Sequence, residues 1–226
     1  MVFKNLIFEY MIIKHATLLK SLLLFMAFFV LQIVTVVAFH YLFPETPVSN
    51  LMALAIDISF VICVFAGFKY LRRDDFIVNS NNVSNAIFLV LLLLSFVWFL
   101  ISPLFKIHQH QWNLDVSFTT HNLNEITKNP NFFTVYGLLR VLLIVPILEE
   151  LFYRKLILSS LLRKYGVYIS IIVSSILFSI GHLDFNNSII FLVYGILLGV
   201  TYWKTKSIYY PILLHIFINA MTFFLI

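Results

Sequence analysis

Charged residues are scarce in this chain. Asp, Glu, Lys and Arg make up 11% of its 226 residues, against about 25% in an ordinary soluble domain. Hydrophobic residues make up 62%, and the mean hydropathy is +0.99. A large water-soluble domain is therefore excluded, and the composition is that of an integral membrane protein. Cysteine is nearly absent, and the single Cys63 sits inside an apolar run. One cysteine rules out an intramolecular disulfide and any CxxC site, which leaves Cys63 as a small lipid- or core-facing residue. A basic tract is missing too. The net charge is +5, but the Lys and Arg residues are dispersed beside apolar segments, which argues against nucleic acid as a partner. No internal repeat is apparent, so a fold built from two related halves, common among transporters, loses support.

What the chain does have is apolar segments of membrane-spanning length. Residues 21–43 contain no Asp, Glu, Lys or Arg. This run exceeds the apolar region of a signal peptide, and no small-x-small cleavage site follows it, so it is expected to stay as an anchor. Residues 1–20 carry Lys4, Lys14 and Lys20 among apolar neighbours and are expected to lie on the membrane surface as an amphipathic segment. Further spans are expected at 50–70, 85–105, 133–148, 167–181, 188–203 and 208–226. The predicted fold is all-α, a polytopic transmembrane helix bundle of about seven spans. It divides into accessory helices and a loop at 1–132 and a core at 133–226, in the last four spans. The polar stretch 106–132 holds His108 and His110, whose HxH spacing lacks a nearby acid or cysteine and reads as a solvated loop rather than a metal site.

With the N-terminus inside, twelve Lys and Arg residues fall on the inner side, among them Arg72, Arg73 and Arg154, and two, Lys106 and Lys128, on the outer side. Arg140 lies within a span. This bias predicts a multi-pass protein of the cell membrane with its N-terminus in the cytoplasm.

Polar residues concentrate in the last four spans. Glu149 and Glu150 follow Val145-Pro146-Ile147-Leu148. Two adjacent carboxylates at the edge of hydrocarbon are costly and call for a cation. Arg154, four residues after Glu150, shares its helix face. The plain alternative is an interfacial charge cluster. His182 closes the stretch Phe178-Ser179-Ile180-Gly181, and His215 and Asn219 stand four apart on another helix. A lone intramembrane His is usually a satisfied packing residue. Two His, one Asn and two Glu on separate spans instead suggest a wet polar cavity.

At ~1.5 Å rise per residue, Glu149 and His182 lie roughly 22–25 Å from an inner boundary near residues 164–166, and His215 and Asn219 roughly 12–18 Å from Ser207. One shared site then requires the helix of Glu149 to continue through Arg154 and bury it with Glu150. A carboxylate beside an imidazole can hold and deprotonate water, and a second imidazole with a carboxamide can donate to a developing oxyanion. These groups fit hydrolysis of a peptide bond without a Ser or Cys nucleophile. The same Glu149, His182 and His215 could alternatively ligate a divalent metal such as zinc, although HExxH is absent.

The three motifs, Glu149-Glu150-x-x-x-Arg154, Phe178-x-x-x-His182 and His215-x-x-x-Asn219, together with Val145-Pro146-Ile147-Leu148 and Tyr209-Tyr210-Pro211, resemble the CAAX-protease and bacteriocin-processing intramembrane protease family, also called CPBP or Abi. Lys155 departs from the glycine that many members carry there. The resemblance covers about residues 133–226. It implies an intramembrane endopeptidase in which Glu149 activates water, His182 helps orient it, His215 and Asn219 form the oxyanion hole, and Glu150 and Arg154 support Glu149. It leaves open whether a metal takes part. The implied partners are membrane lipid and a membrane-associated peptide or protein substrate. The implied settings are peptide maturation or bacteriocin self-immunity. Richness in Ile, Asn, Lys and Phe fits a low-GC Gram-positive bacterium, which argues against prenylated substrates. The competing reading is a non-proteolytic immunity or regulatory protein that binds a partner in the bilayer.

Overall fold

The computed structural model describes residues 2–45, 48–70, 89–90, 93, 132–185 and 187–225. All but a few positions of the expected third span at 85–105, and the loop with His108 and His110, lie outside these residues. Among the described residues all regular structure is helical. In chain order it comprises α1 (Val2–Leu42), α2 (Val48–Tyr70), α3 (Phe132–Leu139), the π-helix π1 (Arg140–Ile144), α4 (Val145–Glu149), the π-helix π2 (Glu150–Leu158), α5 (Ser159–Leu162), α6 (Val167–Gly181), α7 (Ser188–Thr205) and α8 (Tyr209–Leu225).

Helix α1 differs from expectation at its start. Residues 2–20 do not form a separate surface segment, because the helix runs without a break from Val2. This stretch contains no Gly or Pro, so nothing in it interrupts the backbone ladder. At about 1.5 Å per residue, the 41 residues of α1 extend well beyond a hydrocarbon layer of about 30 Å. The part long and apolar enough to cross is Leu18–Leu42. Ser188–Thr205 also qualifies, and Leu51–Gly67, Val167–Gly181 and Tyr209–Ala220 are shorter apolar helices. Val30, Ile33, Val34 and Val37 of α1 are each at least half exposed. A continuous apolar face of this kind suits lipid rather than water, and the chain is a membrane protein.

The chain divides into two compact units, one of Met1–Ile77 with Leu148–Val200, the other of Val78–Ile147 with Thr201–Ile226. In the first unit, α1 and α2 pack side by side and π2 packs against α2 and α6. Aromatic rings fill the junction. Phe28 lies 4.2 Å from Phe60 and 5.3 Å from Phe152, ring centre to ring centre, and Tyr153 lies 5.3 Å from Phe178. Several hydroxyls among these helices bond to backbone carbonyls, which suits a lipid setting. Thr35 Oγ1 donates to Leu31 O at 2.8 Å, Ser59 Oγ to Ala55 O at 2.6 Å, and Ser174 Oγ crosses to Tyr153 O at 3.0 Å.

Helices α6 and α7 approach closely because Gly195 has no side chain. A Cβ there would stand 2.9 Å from the Cα of Ser175, and one at Gly199, a turn further on, would stand 3.2 Å from Ile171 Cγ2. Gly195-x-x-x-Gly199 thus forms the small-residue stripe by which membrane helices pack. The break expected at Tyr165-Gly166 is present. Gly166 adopts an extended conformation before α6, and its carbonyl accepts from both the N–H and the Oγ of Ser170.

In the second unit, π1 packs against α8. Its hydrogen bonding follows from Pro146. The N–H of Val145 donates to Arg140 O, five residues back, so it does not serve Val141. The next residue that a π-turn would offer to Val141 O is Pro146, which has no N–H. Asn219 Nδ2 supplies the missing donor from α8 at 2.9 Å.

Candidate functional site

The glutamate motif sits where α4 gives way to π2. Glu149 is the last residue of α4 and Glu150 the first of π2. The helical path continues through Arg154. Arg154 is 1% exposed and Glu150 fully buried. Arg154 Nη1 lies 3.1 Å from Glu150 Oε1. Buried Arg154 is therefore no surface topology charge, and the inner-side tally of twelve falls to eleven.

Three elements meet at the guanidinium. Besides Glu150 on π2, Arg154 Nη2 donates to Gly195 O of α7 at 3.3 Å. Its Cζ lies 4.3 Å from the ring centre of Phe178 on α6. A desolvated guanidinium over an aromatic face gains cation–π attraction, and its planar fork suits several partners at once. Glu149 is buried as well and lies within electrostatic reach of Tyr153 and Arg154.

His182 follows the last residue of α6. Its Nδ1 lies 2.8 Å from Phe178 O, and its ring packs edge-on against Phe178, 4.6 Å between centres. The other side stacks on Phe191 of α7 at 3.9 Å, with 20° between the planes. The first unit thus gathers Glu149, Glu150, Arg154, Phe178 and His182 through neighbouring contacts. The second unit holds His215 and Asn219 on one face of α8. His215 is 5% exposed, and Asn219 engages the Val141 carbonyl. Among the described residues no three His, Cys, Asp or Glu side chains converge as a metal-ligand set.

Sequence reasoning missed Phe191, Gly195 and the partnership of Asn219 with Val141. Gly195 was findable from its GxxxG spacing, and the orphaned carbonyl from Pro146. Phe191 carries no local signal, since it reaches His182 only after the chain has turned.

The fold and these buried polar residues define a helical membrane protein with carboxylate, imidazole and carboxamide groups inside its apolar segments. Residues 131–221 match the family described as Type II CAAX prenyl endopeptidase Rce1-like. A protein of Bacillus subtilis (strain 168) described as "Putative membrane peptidase YdiL" is 33% identical over 75 residues, which cover 33% of this chain and 31% of that protein. The match thus spans about a third of the relative's length. No solved structure matches. The matched segment 131–221 carries all three motifs, so the C-terminal part of the chain is similar to that endopeptidase family.

Proposed function

We propose that the protein is an intramembrane endopeptidase that hydrolyses a peptide bond in a membrane-associated peptide or protein. The observation that carries this reading is the buried Glu149 next to a Glu150–Arg154 ion pair, within a segment that matches a prenyl endopeptidase family. A buried ion pair is weak evidence of a purely stabilising role, since apolar residues of similar volume often serve as well. Polar groups in hydrocarbon mark functional sites by default.

In this reading the Glu149 carboxylate takes a proton from a water molecule, and the resulting hydroxide attacks the scissile carbonyl carbon. His182 accepts a hydrogen bond from that water and orients it. His215 and the second N–H of the Asn219 carboxamide stabilise the oxyanion. The proton on Glu149 then passes to the leaving amine as the C–N bond breaks. Glu150 and Arg154 fix the position of Glu149 on its helix. Peptide maturation and bacteriocin self-immunity are the settings in which a substrate is to be sought.

The test is purified full-length protein in lipid nanodiscs with a library of membrane-associated peptides. Wild type is compared with Glu149→Ala and His182→Ala, with and without a chelator. Cleavage by wild type that both substitutions abolish supports the reading, and the chelator arm decides metal dependence. Equal cleavage by all three proteins would sink it. Binding of a membrane partner without cleavage would favour a non-proteolytic immunity or regulatory role.

A further inference from the structure

We propose that Phe191 is a positioning residue that holds the His182 imidazole with Nε2 turned out as a hydrogen-bond acceptor. The catalytic consequence rests on the protease reading, whereas the placement of the ring does not.

The argument begins with the tautomer. A backbone carbonyl oxygen can only accept, so the 2.8 Å contact between His182 Nδ1 and Phe178 O requires the proton on Nδ1. In the neutral ring Nε2 then carries the lone pair. Such a nitrogen can accept from a water or a polarised N–H. It cannot donate to an oxyanion. This separates the job of His182 from that of His215.

One hydrogen bond leaves an imidazole free to swing about that bond, and the second restraint is Phe191. Its ring lies parallel to the imidazole, 20° between planes at 3.9 Å, while Phe178 closes the edge. The connection between α6 and α7 is built to bring Phe191 back over the ring. Leu183 takes a left-handed conformation, φ 53°, which costs a non-glycine residue on the order of 1–3 kcal/mol and persists only where the surroundings fix it. They do so here. Asp184 Oδ1 accepts from the Asn187 N–H at 3.2 Å and Oδ2 from Asn187 Nδ2 at 2.7 Å. Ser179 Oγ donates to Ser188 O at 2.7 Å, and the Phe191 N–H donates to Asn187 O at 3.1 Å. The first turn of α7 is thereby tied to the last turn of α6, and Phe191 is set on the imidazole face.

The experiment labels the histidines of the full-length protein in nanodiscs and reads the two ring-nitrogen shifts of His182, assigned by comparison with His182→Gln. The expected wild-type pattern is a protonated Nδ1 and an unprotonated Nε2. Phe191→Leu keeps an apolar side chain but removes the flat face, and should move both shifts toward a mixture of tautomers. Phe191→Tyr should keep the wild-type pattern. A protonated Nε2 in wild type, or an unchanged spectrum in Phe191→Leu, overturns the proposal. On any peptide cut in a Glu149-dependent way, Phe191→Leu should lower kcat roughly 10- to 100-fold with little change in KM, as expected when a reacting group loses its alignment. Phe191→Tyr should restore most of that loss. Unchanged kcat in Phe191→Leu also overturns the proposal. If wild type cuts nothing, the protease reading fails, and the nitrogen shifts still decide how the ring is held.

Discussion

Asn219 Nδ2 donates to Val141 O at 2.9 Å, and the bond exists because Pro146 leaves that carbonyl without a backbone donor. An unsatisfied carbonyl in an apolar setting costs on the order of 1–3 kcal/mol, so Asn219→Ala should lower stability by about that amount. In a Pro146→Ala background the new N–H at position 146 can serve Val141 O, and the same Asn219→Ala change should cost less. Thermal unfolding of the four proteins in one detergent closes the cycle. Equal losses in both backgrounds would show that Asn219 stabilises α8 by some other route.

The Glu150–Arg154 pair makes a sharper claim on stability. Removing one partner of a buried pair strands the other charge and typically costs about 3–5 kcal/mol, whereas replacing both with apolar residues is often neutral. Arg154→Met and Glu150→Met should each reduce the yield of folded protein severely, and the double substitution should recover much of it. Arg154→Lys should not substitute, because a compact ammonium cannot meet Glu150, Gly195 O and the Phe178 face together. Size-exclusion profiles and melting temperatures rank the four variants against wild type. A double variant as poor as either single would argue against the pair as the origin of the loss.

The glycines provide a graded test of packing. At Gly195 a methyl group meets the backbone of Ser175, which cannot rotate away. At Gly199 it meets a side-chain methyl of Ile171, and at Gly166 nothing lies within 4 Å. Overpacking a close contact costs about 1–3 kcal/mol. The expected order of destabilisation is Gly195→Ala, then Gly199→Ala, with Gly166→Ala close to neutral. Melting temperatures in a single detergent give the order directly, and a neutral Gly195→Ala would mean that α6 and α7 do not cross there.

Much of this arrangement was legible in the sequence, for identifiable reasons. Apolar runs mark helices in a chain so poor in charge, and Gly166 marks the break before α6. The Glu150–Arg154 pair follows from helical spacing and the cost of burying an uncompensated carboxylate. What the sequence hides is backbone detail and long-range contact. A π-turn differs from an α-turn by one residue in its hydrogen bonding, and the hydrophobic period does not register this; Pro146 was the only local hint. Lysines at positions 4, 14 and 20 suggested a surface segment, but charge says nothing about continuity of the helix, and α1 runs straight through them. Phe191 meets His182 because of the turn at Leu183 and the Asp184–Asn187 hydrogen bonds, none of which has a periodic signature.

The two adjacent glutamates should separate by experiment. Glu150 is fully buried against Arg154, so Glu150→Gln, which removes the charge and keeps the shape, should act on folding. It removes the carboxylate paired directly with the guanidinium, and a lower melting temperature is expected whether or not substrate is present. Glu149→Gln leaves that ion pair in place. Its expected effect is loss of cleavage with the melting temperature nearly unchanged, because a carboxamide cannot take the proton from water. Losing a general base typically costs about 10²–10⁴-fold in rate, a range a discontinuous peptide assay can resolve. Measuring kcat and melting temperature on the same preparations places each variant on two axes. If Glu149→Gln melts early while Glu150→Gln only loses activity, the roles assigned to the two carboxylates are reversed.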